Sequence, residues 1–473
     1  MGKWTVKAAT QKVQGILIGN PALEVAGCII DSRQARGGEM FFALPGEHVD
    51  GHDFIEDAWN KGAVLAIADE ARLKGTNQKQ FVPEGKALLL VKSVLTTLHE
   101  LANAWRLELG AKVVGVTGSN GKTTTKDMIR AVLSQRFQVY HNKENYNNEL
   151  GLPLTVLNAP LGTEILVLEM GMRGLGEIKT LCDIAKPDIG VITNIGTSHL
   201  ELLLTQERIA QAKWELIEAL PAEGIGIINA EDFFSVQKAL QDRHIFRFYG
   251  FKGAYVEPHM KGSDLRTWGA LGTSFDVSYS CEKATANIPL PGKHNVLNAL
   301  AALAVGKALG VALHVGCEGL VQMELPKRRL EVRYGINGST LLNDVYNANP
   351  TSMQASLQVL KERAGGNKTL AILGEMYELG TAEESGHREV GETLTKLGIC
   401  QLITVGKLAE EIAQGAQMAG YAEENIKVTA TCDEAITIAK DLLELNKPGT
   451  WVLIKGSRGM KMEEITAQLE QEK

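Results

Sequence analysis

The residues best suited to chemistry are Gly118-Ser119-Asn120-Gly121-Lys122-Thr123-Thr124, which follow the hydrophobic run KVVGVT and precede the helical pattern TTKDMIRAVLSQ. Small residues let backbone N–H groups close around phosphate oxygens, and the start of a helix adds positive potential. Lys122 can reach the β and γ phosphates and Thr123 can hold Mg²⁺, so this segment is expected to bind a nucleoside triphosphate. The match to G-x-x-x-x-G-K-[ST] is incomplete, because Val116 stands where the first glycine belongs. A glycine turn with an exposed lysine is the plain alternative, and the order strand, loop, helix argues against it. Guanine specificity is unsupported: Asn142-Lys143-Glu144-Asn145 ends in asparagine where N-K-x-D needs aspartate.

Three more side chains could complete such a site. Glu169 closes the apolar run ILVLE, which places a carboxylate at the carboxyl end of a central strand, where open parallel sheets bind ligands and a hard oxygen suits Mg²⁺. A strand-end glutamate is otherwise a solvated turn residue. His199 follows the strand-like VITNIGTSH and reaches the same edge, although a lone histidine serves equally well as a structural hydrogen-bonding group. Lys213, in the helical QERIAQAKWELIEAL, reads from spacing as a surface lysine.

These residues need a scaffold of alternating strands and helices, and the chain supplies that pattern three times. Residues 27 to 110 hold GCIID, MFFAL, VLAIAD and ALLLV, then a helical stretch from Ser93 to Leu109 that stops at Gly110. From Lys112 the pattern restarts with KVVGVTG, EILVLEMG, DIGVITNIG and GIGIIN, as expected of a mostly parallel sheet covered by helices. Residues 245 to 290 look β-rich and irregular, and the helical GKHNVLNALAALAVGKALG closes that section. Beyond Leu325 and Pro326, NKTLAILGEM, CQLITVG, IKVTAT and GTWVLIKGSRG alternate with helical stretches at Ala409 to Met418 and Asp433 to Leu445. The expected fold is α/β in three domains: 1–110, a central phosphate-loop domain 111–325, and a Rossmann-like C-terminal domain 326–473.

Bulk properties narrow the class. The 473 residues carry a formal charge of -7, which argues against a nucleic-acid or anionic-membrane binder. Cys28, Cys182, Cys281, Cys317, Cys400 and Cys432 form no C-x-x-C, so neither a zinc knuckle nor a disulfide framework is indicated. No run of eighteen apolar residues and no signal-peptide pattern occurs, and the protein is expected in the cytoplasm without membrane insertion.

Several segments together resemble the Mur ligases: TGSNGKTTTK at 117–126, NYNNELGLPLT at 145–155, LEMG at 168–171, TNIGTSHLE at 193–201, AKWE at 212–215, GKHNVLNALAA at 292–302 and KRRLE at 327–331. DSRQARGGEMFFALPGEHVDGHDFI at 31–55 is similar to that family's uridine-nucleotide-binding first domain. DVYNANPTSM at 344–353, LGEMYELG at 373–380 and KGSRGMKME at 455–463 resemble the member that adds a D-alanyl-D-alanine dipeptide to UDP-MurNAc-tripeptide. The resemblance implies an ATP-dependent, Mg²⁺-requiring ligase acting through an acyl phosphate, and a monomer is expected. It implies ATP contacts from Gly118 to Thr124 and from Asn295, Arg329 and Asp344. It also implies Mg²⁺ ligation by Thr123, Glu169 and His199, catalytic roles for Lys122, His199 and Lys213, and uridine diphosphate contacts from Ser32 and Arg33. In this family the lysine of AKWE is commonly carbamylated by CO₂, which would make Lys213 an oxygen ligand. The D-N-P-R segment of the diaminopimelate-adding member is absent, and the first domain is foreign to folylpolyglutamate synthase. A non-catalytic nucleotide-binding regulator is the rival from another class. Loss of Glu169, Lys213 or His199 would favour it, and all three are present.

Overall fold

The computed structural model describes residues 4–46, 48–73, 81–143, 146–196, 200–252, 255–269, 272–325 and 327–471. The helix Val94–Leu109 shows how local signals set the elements. The Ser93 side chain accepts a hydrogen bond from the Thr96 N–H at its start, and Gly110, at φ 61°, ends it in the left-handed region that glycine tolerates. Its apolar side chains Leu98, Leu101 and Trp105 are buried in a core that continues through Leu152, Leu166 and Leu181. The Trp105 Nε1–H donates to the Ala159 carbonyl at 3.1 Å. The Asn158 side chain, at the end of the helix Gly151–Asn158, hydrogen-bonds both the N–H and the C=O of Cys28, so the first sheet is tied to that helix by hydrogen bonds as well as by packing.

That first sheet has the order Ile16–Gly19, Ala87–Val91, Leu65–Asp69, Glu39–Phe42, Gly27–Ile29. Only the Ile16–Gly19 edge strand is antiparallel to its neighbour. The central sheet runs Glu282–Ile288, Gly272–Tyr279, Met260–Trp268, Ile245–Gly250, Ile225–Asn229, Ile189–Ile192, Lys112–Thr117, Ile165–Glu169, Val139–His141. Its inner strands are parallel and mostly apolar, with polar residues at their ends, because helices cover both faces. The section 245 to 290, β-rich and irregular by sequence, supplies the four strands Ile245–Gly250, Met260–Trp268, Gly272–Tyr279 and Glu282–Ile288 of this sheet. Strand 260–268 leaves five consecutive residues, Ser263 to Thr267, exposed and carries a register shift between Ser263 and Arg266, which blurs the two-residue period.

The third sheet has the order Glu331–Tyr334, Thr340–Asn343, Trp451–Lys455, Thr369–Gly374, Gln401–Val405, Ile426–Thr429, all parallel except the first edge. The last strand in the chain, Trp451–Lys455, inserts between the second and the third. The loops 344–349, 375–379 and 456–462 therefore leave neighbouring carboxyl ends together, where a ligand crevice forms in such sheets. No helix among the described residues is long and apolar enough to cross a membrane.

Candidate active site

The phosphate loop leaves the strand Lys112–Thr117 and enters the helix Lys122–Leu133. A Cβ at Gly118, whose φ is 149°, would stand 1.8 Å from Thr193 Oγ1, so no side chain fits there. The neighbouring strand end holds the loop's far side. The Asn120 N–H donates to Asn194 Oδ1 at 3.0 Å, Thr193 Oγ1 donates to the Asn120 carbonyl at 2.6 Å, and the Gly196 N–H donates to Ser119 Oγ at 2.8 Å. Lys122 Nζ folds back on its own loop, donating to the carbonyls of Gly118 at 2.7 Å and Ser119 at 3.2 Å. Burial lowers its pKa; nearby Glu169 opposes this and Arg329 adds to it.

Glu169 is buried at 3% exposure, which removes the solvated-turn alternative. Its Oε2 accepts from Thr123 Oγ1 at 2.8 Å and its Oε1 from Asn147 Nδ2 at 2.8 Å. The strand end that carries it is clamped by Asn142: Asn142 Oδ1 accepts the Glu169 N–H at 2.8 Å, and Asn142 Nδ2 donates to the carbonyls of Glu169 at 3.0 Å and Tyr146 at 2.8 Å. Lys126, one turn into the phosphate-loop helix, donates to the Asn142 carbonyl at 2.6 Å. Sequence reasoning gave Asn142 no role, since nothing local says which backbone a side-chain amide will meet. Asn142→Asp keeps the shape but sets a carboxylate against two carbonyls. We expect it to cost about 2–3 kcal/mol by denaturant unfolding and to lower kcat at least about tenfold by displacing Glu169. Wild-type kcat in a stably folded variant would remove the link to Glu169.

The third unit closes over this loop. Arg329 Nη2 donates to Thr123 Oγ1 at 3.0 Å while its guanidinium stacks on Tyr346, 3.9 Å from the ring centroid. Asn349 Nδ2 donates to Asn120 Oδ1 at 2.7 Å, and Asn349 also caps the helix Pro350–Ala364. Asp344 has both carboxylate oxygens engaged, by Lys455 Nζ at 2.6 Å, Ser356 Oγ at 2.6 Å and the Leu330 N–H at 3.2 Å. Residues 119–124, Glu169, Asn295, Arg329 and Asp344 all line one cavity of about 930 Å³ that also reaches Leu95 and His99 of the first unit. Asn295 is held by the Pro291 carbonyl at 2.7 Å.

Other expected site residues lie elsewhere. Lys213 is not a surface lysine. It is 1% exposed on the helix Gln206–Glu218, and burial together with the nearby Lys122 charge holds its pKa well below the usual lysine value. Among the described residues it makes no hydrogen bond or ion pair. Ser32 and Arg33 are outside the cavity. The Ser32 hydroxyl donates to Asp57 at 2.6 Å, and Arg33, 83% exposed, pairs with Asp31 at 2.8 Å. His199 and Asn145 fall outside the described residues. Among the described residues no three His, Cys, Asp or Glu side chains gather as a metal cage. The oxygens of Thr123 and Glu169 beside the phosphate loop nonetheless suit Mg²⁺, which takes one or two carboxylates plus substrate phosphates rather than a full protein cage.

Residues 24–106 match the Mur ligase family catalytic domain, 116–306 the Mur ligase middle domain, and 328–458 the Mur ligase glutamate ligase domain. A Bacillus subtilis protein named UDP-N-acetylmuramoyl-tripeptide–D-alanyl-D-alanine ligase is 40% identical over 99% of both chains. The crystal structure of MurF from Acinetobacter baumannii superposes with a TM-score of 0.87 at 30% identity, covering 98% of each chain. That of Thermotoga maritima MurF in complex with ADP gives 0.80 at 31% identity, covering 93% of this chain and 96% of that one.

Proposed function

The chain belongs to the Mur ligase family, and from that we infer that it joins D-alanyl-D-alanine to UDP-N-acetylmuramoyl-tripeptide, with ATP converted to ADP and phosphate, in peptidoglycan precursor synthesis. The observation that carries the reading is the single cavity in which Lys122 and Thr123 of the phosphate loop, Glu169 of the next strand and Arg329 of the third unit converge. Domain limits of 1–110, 111–325 and 326–473, a cytoplasmic location and a monomeric state belong to the same proposal.

A carboxylate is a poor electrophile, so the peptide's terminal carboxylate oxygen attacks the γ-phosphorus of ATP, ADP leaves, and an acyl phosphate forms. Lys122, released from the Gly118 and Ser119 carbonyls, and Arg329 neutralise charge on the transferring phosphoryl group. Thr123 and Glu169 would hold a Mg²⁺, and His199 is proposed for a second; the ions would supply further charge neutralisation at the phosphates. The neutral dipeptide amine then attacks the acyl carbon, a tetrahedral intermediate collapses, and phosphate departs while the amine proton passes to solvent or phosphate. The remaining loop residues, with Asn295 and Asp344, bind the nucleotide, and the Asn120–Asn349 contact holds the third unit over the loop and excludes water. Asp344 acts there as a member of the Lys455–Ser356 network, since both its oxygens are engaged.

Lys213 is assigned a carbamate. Its neutral amine nitrogen adds to the carbon of CO₂, one C=O π pair moves to oxygen, and the adduct releases one N–H proton to solvent. The support is its burial without a partner among the described residues, where an amine is favoured over an ammonium.

Phosphate release from ATP with UDP-MurNAc-tripeptide, with and without D-alanyl-D-alanine, tests the function; robust hydrolysis with neither substrate would favour the regulatory reading. In the first unit, Ser32, through its remaining acceptor capacity, and the exposed Arg33 are assigned to the uridine diphosphate. Arg33→Ala should raise KM for the UDP substrate about tenfold and leave that for ATP within about twofold. Equal changes in both would place Arg33 elsewhere.

A further inference from the structure

In the segment 455–463 only Lys455 has a part in the nucleotide network, yet the whole segment stands at the crevice where the third sheet's loops converge. Its Arg458 is exposed and, among the described residues, pairs with no carboxylate. Three neighbouring cations have partners: Lys455 is held by Asp344 and the Asn347 carbonyl, Arg328 by Glu463 at 3.1 Å, and Arg329 by Thr123 and Tyr346. The Arg458 guanidinium lies 5.6 Å from the centroid of the same Tyr346 ring, a wall of the reaction cavity.

The loop that presents Arg458 is held rigidly. The Ser457 N–H donates to the Glu375 carbonyl at 2.9 Å, the Tyr377 N–H donates to Ser457 Oγ at 3.0 Å, and the Tyr377 hydroxyl meets Met460 Sδ at 2.9 Å. The Tyr377 ring lies so close to the backbone that a Cβ at Gly459 would stand 2.9 Å from it. Such a support fixes the backbone from which the guanidinium projects, so that only the side chain itself must be ordered when it binds a planar anion.

The second substrate is a dipeptide with a reactive amine at one end and a free carboxylate at the other. Its amine must reach the acyl phosphate beside Thr123 and Arg329. An extended dipeptide reaches about 7 Å, and the two guanidinium carbons, each measured from one ring centroid, are within about 10 Å of each other. We propose that Arg458 binds the terminal carboxylate of D-alanyl-D-alanine and thereby determines that the accepted amine belongs to a free acid. Two parallel N–H donors of the guanidinium match the two carboxylate oxygens, and Tyr346 orients Arg458 by stacking.

This assignment rests on the ligase reading. Wild-type phosphate release that depends on the dipeptide establishes that reading before any variant is compared. The test then measures steady-state kinetics for the wild type, Arg458→Ala and Arg458→Lys with D-alanyl-D-alanine and with its C-terminal amide. Arg458→Ala should raise KM for the dipeptide about 30-fold, with KM for ATP and the UDP substrate within about twofold. Wild type should prefer the acid over the amide by a similar factor, Arg458→Ala should lose that preference, and Arg458→Lys should keep part of it. A structural role for the loop cannot produce this pattern, because it would slow acid and amide alike. If Arg458→Ala does not fold, Arg458→Lys and Arg458→Gln are compared on the same two substrates. Retained preference for the acid in a variant without positive charge at 458 overturns the proposal, as does an equal rise in all three KM values.

Discussion

Lys122→Ala is expected to lower kcat by about a thousandfold or more while the protein stays folded. In the structure the ammonium donates to the Gly118 and Ser119 carbonyls of its own loop. Losing those two bonds costs about 1–2 kcal/mol at a half-buried position, a small part of the stability of a chain this size. Losing the charge during phosphoryl transfer has a far larger effect, because the loop then keeps only the Arg329 guanidinium hydrogen-bonded at Thr123, and Glu169 adds a negative charge beside it. Phosphate release and a thermal melt, measured on the same preparation, separate the two outcomes. A folded alanine variant with near-normal turnover would remove Lys122 from the chemistry.

Comparable loss is expected for Lys213→Ala and Lys213→Arg, for a different reason. A lysine ammonium at 1% exposure with no described partner would be an uncompensated buried charge, whereas the amine that burial favours is the form that reacts with CO₂. Arginine retains positive charge and supplies no oxygen, so it should be as inactive as alanine. Short carboxylic acids such as acetate or propionate, added to the alanine variant, should restore part of the activity by filling the vacated space with carboxylate oxygens. In the wild type, ¹³C-bicarbonate should give a carbamate carbon resonance by NMR that is missing from Lys213→Ala. Near-normal activity with arginine would show that a cation suffices and would end the carbamate assignment.

Much of this protein was legible before folding was considered. Runs such as ILVL before Glu169 and ALLLV are continuously apolar because their strands are buried on both faces, and the restart at KVVGVTG marks a second sheet. The phosphate loop is contiguous, so its glycines, lysine and threonine announce themselves within seven residues. Family likeness extended that reading to the reaction.

Other features depend on contacts between residues far apart in sequence. Glu169 is acidic by sequence, but only folding puts Thr123 and Asn147 on its two oxygens and Asn142 on its backbone. Arg329 lies 206 residues from Thr123, and Asn349 lies 229 from Asn120. Lys213 looks like a solvated lysine in an amphipathic helix, because a helical pattern shows which face is apolar and not how deeply its polar face is covered. Arg458 follows the same rule: by sequence it is one residue of KGSRGMKME, and only folding sets its guanidinium beside the Tyr346 ring. Local sequence determines which backbone shapes and charges are available. Tertiary packing decides which of those charges face one another, because the hydrophobic burial that brings the sheets together is non-directional and the few polar contacts at their shared edge select the arrangement.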